Sequence, residues 1–419
     1  GAITQRSRRS ATKENREKAT HADVPPKKQR VAVVRTSDFT AGAELGRGGF
    51  CSVLEVQDCR IPLRRLSKRS PQKTTDDADP STTSDKPKSK LSVLLRILGY
   101  ENSATKKNRR SAPAEDDAKY KRNDNAYVVK LLRKDLTKRA LSRGRLDLCI
   151  EAAHLLSIKN EHIIRVVAIS RGIAKYLARD SRWKEESEFF IIMERLEFTL
   201  EDMIRQWAEE AKDAKQSQSQ GGFGFMSGGG SSKKKKKEQK QRWLKKLEVA
   251  RDVARAVRFL HENKVVYRDL KPSNIGFAFD GTTTIFDFGL AKTLSPKDEL
   301  CNSLYRMTGH TGSLRYMAPE VAQDLPYNTS VDSYSFAMLL WQLCSYMPPY
   351  LGFTREKHNE LVVCRGWRPP IGKKWPKGLV EIIKRCWSDN MTKRMDFEEI
   401  ETTLDVEIDR IRSKSSSKW

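Results

Sequence analysis

The segment 266–274 (VYRDLKPSN) brings a carboxylate, a cation and an amide close together directly after a helical pattern. Asp269 can accept a proton or orient a hydroxyl group, and Lys271 can neutralise a phosphoryl oxygen. Asn274 can bind a hard metal ion through its carbonyl oxygen. Further along, Asp287 is flanked by aromatic residues and followed by a flexible glycine, and the alternative interpretation is a turn-forming Asp-x-Gly.

A glycine-rich turn, GRGGFCSV (46–53), lies between two strand-like runs. Glycines such as Gly46 and Gly48 let a backbone approach phosphate groups closely, with successive N–H groups facing the anion. A structural hairpin turn explains the same residues at even odds. The turn alone is therefore weak evidence for a phosphate-binding loop, and the other motifs of the chain are needed to interpret it.

The elements that would position these residues fall into two parts. The β-branched run AYVVKLL (126–132) and the apolar run FFIIM (189–193) predict strands, and 146–158 carries a helical apolar pattern. After Trp243 the apolar spacing becomes helical. A β-rich part thus precedes an α-rich part, which predicts two lobes with a ligand-binding cleft between them.

With the later segment 312–320 (GSLRYMAPE), these motifs resemble, in order, the set of the eukaryotic protein kinase family. The resemblance covers about 41–405, interrupted by two long basic inserts. It implies an α+β, two-lobed kinase fold with a small β-rich N-lobe and a larger α-helical C-lobe. It also implies an enzyme that uses ATP and Mg²⁺. Lys271, Ser313 and the segment 367–400 are similar to the serine/threonine type and the tyrosine kinase-like group, so Ser and Thr of protein substrates are the implied acceptors.

The resemblance implies roles for individual residues. Asp269 would engage the substrate hydroxyl with Lys271 beside it, and Lys130 would hold the α- and β-phosphates with Glu151 as its ion-pair partner. The implied metal ligands are Asn274 and Asp287. The implied ATP-binding residues, including a gatekeeper and a hinge, are Gly46, Gly48, Val53, Val128, Lys130, Met193, Glu194, Leu196 and Gly276. The implied structural and regulatory residues are Arg268, Phe288, Gly289, Thr308, Thr311, Ser313, Glu320, Asp332 and Arg394.

Several positions depart from the family pattern. Cys51 stands where the loop usually has its third glycine, as a tolerated small residue or as a redox-active thiol. Tyr267 stands where His usually precedes Arg-Asp, a change found in active kinase groups. Val128 and Gly276 stand where Ala and Leu usually lie above and below adenine. We hypothesise that the larger ceiling and the smaller floor compensate and preserve the volume of the slot.

Arg268, which directly precedes the catalytic Asp, predicts regulation. Such an Arg can pair with a phosphate on the activation loop and order that loop, which would make an upstream activating kinase a partner. A loop ordered without phosphate is the open alternative. The candidate acceptors between Asp287 and Glu320 are Thr293, Ser295, Ser303, Thr308 and Thr311.

The 419-residue chain has 80 Lys+Arg against 54 Asp+Glu, a net charge of +26. Most of this excess lies in three segments that are poor in periodic apolar residues and are interpreted as tails or loops. The predicted division is a basic N-terminal tail 1–40, a kinase domain 41–405 (N-lobe 41–196 with insert 57–125, C-lobe 197–405 with insert 205–242) and a C-terminal tail 406–419.

The role of the basic segments stays open between solvated linkers and patches that contact anionic partners. The runs 24–31 and 233–237 are candidate nuclear-import signals. Leu91–Leu98 has helical spacing and predicts a short helix that docks on the domain or binds another protein. The alternatives to an active kinase are a pseudokinase or scaffold whose inserts bind partners or anionic polymers, and a nucleic-acid platform.

The sequence contains no run of about 18 apolar residues, so we expect no membrane span. The N-terminus, which begins with Gly1 rather than Met, lacks the pattern of a secretory signal. The seven cysteines of the chain are scattered, which argues against a disulfide scaffold or a zinc site. We therefore expect an intracellular protein, cytoplasmic and/or nuclear.

Overall fold

The computed structural model describes residues 31–59, 126–219, 230–301 and 303–413. The predicted Leu91–Leu98 helix, nearly all of the import-signal candidate 24–31 and most of the insert 57–125 lie outside the described residues. Within those ranges, no helix combines the length and the apolar character needed to cross a membrane.

One mixed sheet builds the N-terminal lobe. Its strands are β1 (Ala32–Val34), β2 (Phe39–Arg47), β3 (Cys51–Cys59), β4 (Tyr127–Leu132), β5 (Val166–Ser170) and β6 (Phe190–Glu194). They lie in the order β1-β5-β6-β4-β3-β2, with β1 parallel to β5 and the other neighbours antiparallel. β-branched and aromatic side chains on β4 and β6 are buried, which is why these strands lie at the centre of the sheet.

Among the residues that the structure describes, two helices belong to this lobe. α1 (Lys138–Ser157) begins at Thr137, whose hydroxyl accepts a hydrogen bond from the Ala140 N–H at 3.3 Å. α2 (Arg171–Leu177) follows β5 directly and is continued by a 3₁₀ turn, Ser181–Glu185. Buried apolar residues of α1 pack in the same core as the sheet, so α1 is fixed against the strands that carry the candidate site.

The C-terminal lobe is mainly helical, and its α6 is buried from Val331 to Cys344. Small sheets β10-β9-β7 and β11-β8 line its upper edge. The helices are α3 (Leu200–Ser219), α4 (Gly230–Glu262), α5 (Pro319–Ala322), α6 (Ser330–Ser345), α7 (Arg355–His358), α8 (Lys377–Cys386) and α9 (Phe397–Ser413). The strands are β7 (Phe198–Thr199), β8 (Val265–Val266), β9 (Ile275–Phe277), β10 (Thr283–Ile285) and β11 (Lys292–Thr293). The expected two-lobed α+β architecture is confirmed.

The structure corrects three details of the predicted division. Residues 32–40, predicted as part of a tail, supply β1 and the start of β2, because Val34 is buried at the edge of the sheet. α9 continues past residue 405 to Ser413, since Ile408 and Ile411 face the core. β3 extends to Cys59, beyond the predicted start of the insert at 57. The outer domain limits themselves stay predictions.

The predicted loop 205–242 is helical at both ends. α3 runs to Ser219 and α4 begins at Gly230, so the basic run 233–237 lies within α4. Lys, Gln, Glu and Ala dominate the flanks of this segment, and these residues favour helices even where the composition is simple. The buried Lys246 of α4 fixes the base of this helix pair, with its ammonium 4.7 Å from the Trp243 ring and 3.9 Å from the Tyr346 ring.

Candidate active site

A partly buried lysine joins the two lobes at the cleft. The Lys130 Nζ on β4 donates to both carboxylate oxygens of Glu151 on α1, at 2.9 and 2.8 Å. It also donates to the Asp287 Oδ1 at 2.9 Å. Burial disfavours the charged ammonium, but the two carboxylates outweigh it and hold the pKa of Lys130 above its usual value. Burial also opposes ionisation of Asp287, yet Lys130 keeps the pKa of that carboxyl below its usual value. The three predicted residues therefore meet as a charged group.

A second group lies in the loop between β8 and β9. The Lys271 ammonium donates to the Asp269 Oδ2 at 2.7 Å and to the Ser313 Oγ at 2.8 Å. Asn274 donates its amide to the Asp269 Oδ2 and main-chain oxygen, both at 3.0 Å. The Ser313 N–H donates to the Asp269 Oδ1 at 2.9 Å. Asp269 is thus held from both sides, which fixes where its carboxylate oxygens lie.

Helix α6 anchors this loop from below through Asp332, which is fully buried. Its carboxylate accepts the main-chain N–H groups of Tyr267 and Arg268 at 2.8 Å each and contacts the His261 Nε2 at 2.8 Å. Arg268 has a φ of 69°, a left-handed conformation that a non-glycine residue adopts at a cost. Asp332 stabilises that conformation, so the loop keeps the shape that presents Asp269.

Tyr267 connects the same loop to the strand that leads to Asp287. Its hydroxyl donates to the main-chain oxygen of Phe286, and its ring lies edge-on to Phe288 with centroids 5.2 Å apart. The Phe286 N–H in turn donates to the Asn274 main-chain oxygen at 3.0 Å. The unusual tyrosine at this position therefore supplies a donor that holds the segment directly before Asp287.

The predicted adenine slot is lined from both lobes. Val128 on β4 lies opposite Met193 on β6, and both are buried. On the C-lobe side, a Cβ added at Gly276 would lie 2.6 Å from Leu196 Cδ1, since that side chain already fills the space. Leu196 thus occupies the room that the small floor residue leaves. This contact involves Leu196 rather than Val128, so compensation between Val128 and Gly276 stays a prediction.

The glycine-rich turn is tied to β4 by residues that the sequence did not single out. Arg133 donates to the main-chain oxygens of Gly48 and Gly49 at 3.2 and 3.4 Å, and Asp135 pairs with both Arg133 and Arg47. A short-range Arg-x-Asp directly after the predicted strand was the only available signal. Because Arg133 binds the carbonyl side, the N–H groups of the same peptide units point away from it.

Cys51 lies beside this site, partly buried on β3. Burial raises the pKa of its thiol to about 11, although Lys130 opposes the shift. A thiol with such a pKa is protonated at neutral pH and is a poor nucleophile. The structure therefore favours the tolerated small residue over the redox site.

The side chains fit a magnesium-bound nucleotide by the chemistry of their donors. Asp287 keeps 43% of its side chain exposed towards the cleft, and Asn274 uses its NH₂ group on Asp269, which leaves its oxygen as a ligand. Carboxylate and amide oxygens suit Mg²⁺, which prefers oxygen ligands. Lys130 supplies a fixed cation nearby for phosphate oxygens.

Around Arg268 the structure separates the candidate regulatory residues. The Arg268 guanidinium donates to the Leu290 main-chain oxygen at 2.6 Å, to the Thr308 Oγ1 at 3.0 Å and to the Tyr327 hydroxyl at 3.2 Å. Thr311 contacts Thr308 at 3.1 Å, whereas the Thr293 hydroxyl lies 3.3 Å from His154 on α1. Thr308 is therefore the candidate acceptor that meets Arg268, and a cleft of about 780 Å³ lies beside it.

Glu320 and Arg394, predicted as structural residues, form an ion pair in the C-terminal lobe. Arg394 donates two hydrogen bonds to Glu320, at 2.6 and 2.9 Å, and both residues are buried. A buried, bidentate pair of this kind fixes the end of the segment 312–320, and Arg394 also donates to the Ser330 main-chain oxygen at the start of α6 at 3.1 Å. Ser313, at the start of that segment, is thereby held next to Lys271.

Comparisons with known proteins agree with the resemblance. A family model described as protein tyrosine and serine/threonine kinase matches residues 114–404. Serine/threonine/tyrosine-protein kinase HT1 of Arabidopsis thaliana is 35% identical over 159 residues, 38% of this chain and 39% of that protein. Serine/threonine-protein kinase VIK of Arabidopsis thaliana is 36% identical over 159 residues, 36% of this chain and 35% of that protein. Dual specificity protein kinase shkB of Dictyostelium discoideum is 34% identical over 154 residues, 36% of this chain and 23% of that protein. The chain thus spans well under half the length of these curated relatives.

Proposed function

This chain belongs to the protein tyrosine and serine/threonine kinase family, and we propose that it is an active enzyme that transfers the γ-phosphate of ATP to Ser and Thr hydroxyls of protein substrates. The observation that supports this most directly is the arrangement of Lys130, Glu151, Asp269, Asn274 and Asp287 around one cleft. The relatives' names include serine/threonine kinases, and that acceptor class comes to this chain as part of the proposal.

Each residue has a role that its contacts support. Asp269 accepts the proton of the substrate hydroxyl, and Lys271, held 2.7 Å from it, neutralises charge that develops on the transferred group. Asn274 and Asp287 would hold Mg²⁺, and the ion would supply positive charge to screen the phosphates. Lys130, oriented by Glu151, holds the α- and β-phosphates. The protein's part is positioning and electrostatic stabilisation.

The acceptor class rests on the contact of Lys271 with Ser313. The ammonium bridges the catalytic carboxylate and the segment on which a substrate would lie. This pair of residues resembles the serine/threonine type, so Ser and Thr hydroxyls are the proposed acceptors. Protein substrates follow from the family, and their identity is open.

We also propose regulation through Thr308. A phosphate on this hydroxyl would lie against Arg268, with Arg306 and Lys292 lining the same cleft. Treatment with an upstream kinase is expected to raise the activity of the wild type and of Thr293→Ala, and not that of Thr308→Ala. Equal activation of Thr308→Ala would contradict this assignment. An intracellular location and anionic partners for the basic segments stay predictions.

The experiment that tests the proposed activity is transfer of radiolabelled phosphate from ATP with Mg²⁺ to a generic basic protein. Asp269→Asn and Lys130→Met are expected to abolish transfer, and Asp409→Asn, which makes the same change at an exposed position, is expected to retain it. Phosphoamino-acid analysis should find phosphoserine or phosphothreonine. Absence of transfer by the wild type, even after Thr308 is phosphorylated, would favour the pseudokinase or scaffold alternative.

A further inference from the structure

The connection between β5 and β6 is a folded unit rather than a tight turn. We call residues 171–189 the outer brace; it contains α2 and the 3₁₀ turn Ser181–Glu185. Its two ends are tied together by the Gly172 N–H, which donates to the Glu188 main-chain oxygen at 3.2 Å. Lys175 and Glu186 form an ion pair at 3.0 Å that closes it again. A Cβ at residue 172 would lie 2.4 Å from the Glu188 oxygen, so the closure requires a glycine.

An aromatic row runs through the outer brace and ends on α1. Tyr176 lies edge-on to Trp183 with centroids 5.2 Å apart, and Trp183 lies edge-on to Phe189 at 6.2 Å. The guanidinium of Arg145 on α1 lies over the Phe189 ring at 5.0 Å. Arg145 also donates to the Lys184 main-chain oxygen at 3.2 Å. Arg145 therefore links α1 to the outer brace by a hydrogen bond and a cation–π contact.

The helical repeat places this contact on a different face of α1 from the catalytic pair. Arg145, Leu148, Cys149 and Ala152 are spaced by three or four residues and share one face. The last three of them are at most 1% exposed. Glu151 lies six residues after Arg145, which rotates it by about 240° at roughly 100° per residue. It points to β4 and Lys130. α1 is thus held between the sheet and the outer brace.

We propose that the outer brace positions α1 so that Glu151 reaches Lys130, and that Arg145 is the positioning residue that couples the two. The inference rests on the proposed function, because the consequence of a misplaced Glu151 is a misplaced Lys130. The Glu151–Lys130 contacts are 2.8 and 2.9 Å long, so a shift of α1 of about 1 Å would break them. Leu148 and Ala152 still pack in the core without Arg145, so its loss should displace α1 rather than unfold the lobe.

The test compares Arg145→Ala with Arg145→Lys and Arg139→Ala. Arg139 lies in the first turn of the same helix and is exposed, so its variant controls for the loss of charge. We expect Arg145→Ala to lower kcat about tenfold while KM for the protein substrate changes less than about twofold. Arg145→Lys keeps a cation over Phe189 and should recover much of the loss, and Arg139→Ala should match the wild type.

A double-mutant cycle with Glu151→Gln shows whether Arg145 acts through the pair. In that background Arg145→Ala should lower kcat less than about twofold. A full tenfold loss in both backgrounds, or an unchanged kcat with only a lower Tm, would overturn the proposal. Hydrogen exchange of the α1 amides gives a readout without catalysis: Arg145→Ala should accelerate it, while α6 stays protected, and unchanged α1 exchange would also overturn the proposal. Failure of the proposed function would appear instead as no transfer by the wild type.

Discussion

The substitution Tyr267→Phe removes one hydroxyl from the centre of the cleft and leaves the ring in place. Tyr267 is 1% exposed, and its hydroxyl donates to the Phe286 main-chain oxygen. The phenylalanine ring would keep its edge-on contact with Phe288. The change therefore removes the hydrogen bond that holds the chain directly before Asp287, together with the contact of the hydroxyl to the Asn274 side chain.

The expected effect follows from the partly buried acceptor that would lose its partner. Leaving a buried carbonyl oxygen unpaired costs about 1–3 kcal/mol of folding free energy. For a domain of this size each 1 kcal/mol lowers Tm by roughly 2–4 °C. Only part of the free energy of this hydrogen bond is expected to affect the position of Asp287. We therefore expect kcat to fall about three- to tenfold, whereas a loss of the full amount, about 3 kcal/mol, in transition-state stabilisation would lower kcat roughly hundredfold.

Thermal unfolding and steady-state kinetics on the same preparations would measure both effects. Tyr267→His, which keeps a ring donor, is the matched variant and should recover part of both losses. A Tyr267→Phe protein with wild-type Tm and kcat would refute the role of the bond. A lower Tm with an unchanged kcat would show that the bond stabilises the fold without positioning Asp287.

Three further expectations follow from the structure. Burial lowers the pKa of Lys246 to about 8, well below its unfolded value. Between about pH 8 and 10 the unfolded state therefore binds more protons than the folded state. The free energy of unfolding of the wild type should rise relative to that of Lys246→Met by up to roughly 1.4 kcal/mol per pH unit, and a rising Tm would show it. Lys237→Met, at an exposed position of the same helix, should show no such trend. Gly276→Ala should raise KM for ATP because its Cβ would lie 2.6 Å from Leu196 Cδ1; adding Leu196→Ala should relieve it, and an unchanged KM in the single variant would contradict the packing. Alkylation at pH 7, followed by mass spectrometry, should modify the exposed Cys301 before Cys51, whose pKa is about 11; the reverse order would revive the redox interpretation.

Local motifs were sufficient to identify the residues of the cleft. Asp269, Asn274 and Asp287 are recognisable because the chemistry requires them in short, ordered segments. The roles of Lys130 and Glu151 came from the resemblance to the kinase family, which placed them on a strand and on a helix. The structure adds the contacts that give them fixed orientations, such as those from Asp332.

The outer brace and the Lys246 site were not predictable in the same way. Phe189 was predicted as part of a buried strand. No sequence pattern relates Phe189 to Arg145, because the two residues meet only in the tertiary fold. Lys246 looked like one more basic residue on a helix, and its burial depends on aromatic residues far apart in the chain. The helices at the two ends of 205–242 were not predicted, because the low-complexity composition of this segment indicated a loop although its residues have high helix propensity.

The short strand β1 has a consequence for how this protein behaves in solution. It pairs in parallel with β5 from Ala32 to Val34 and so covers what would otherwise be the open edge of the sheet. An uncovered edge presents unpaired N–H and C=O groups to other molecules and templates intermolecular strand pairing. A recombinant fragment that starts at residue 41 would lack this cover. We therefore expect β1 to reduce aggregation of the N-terminal lobe through its sheet edge.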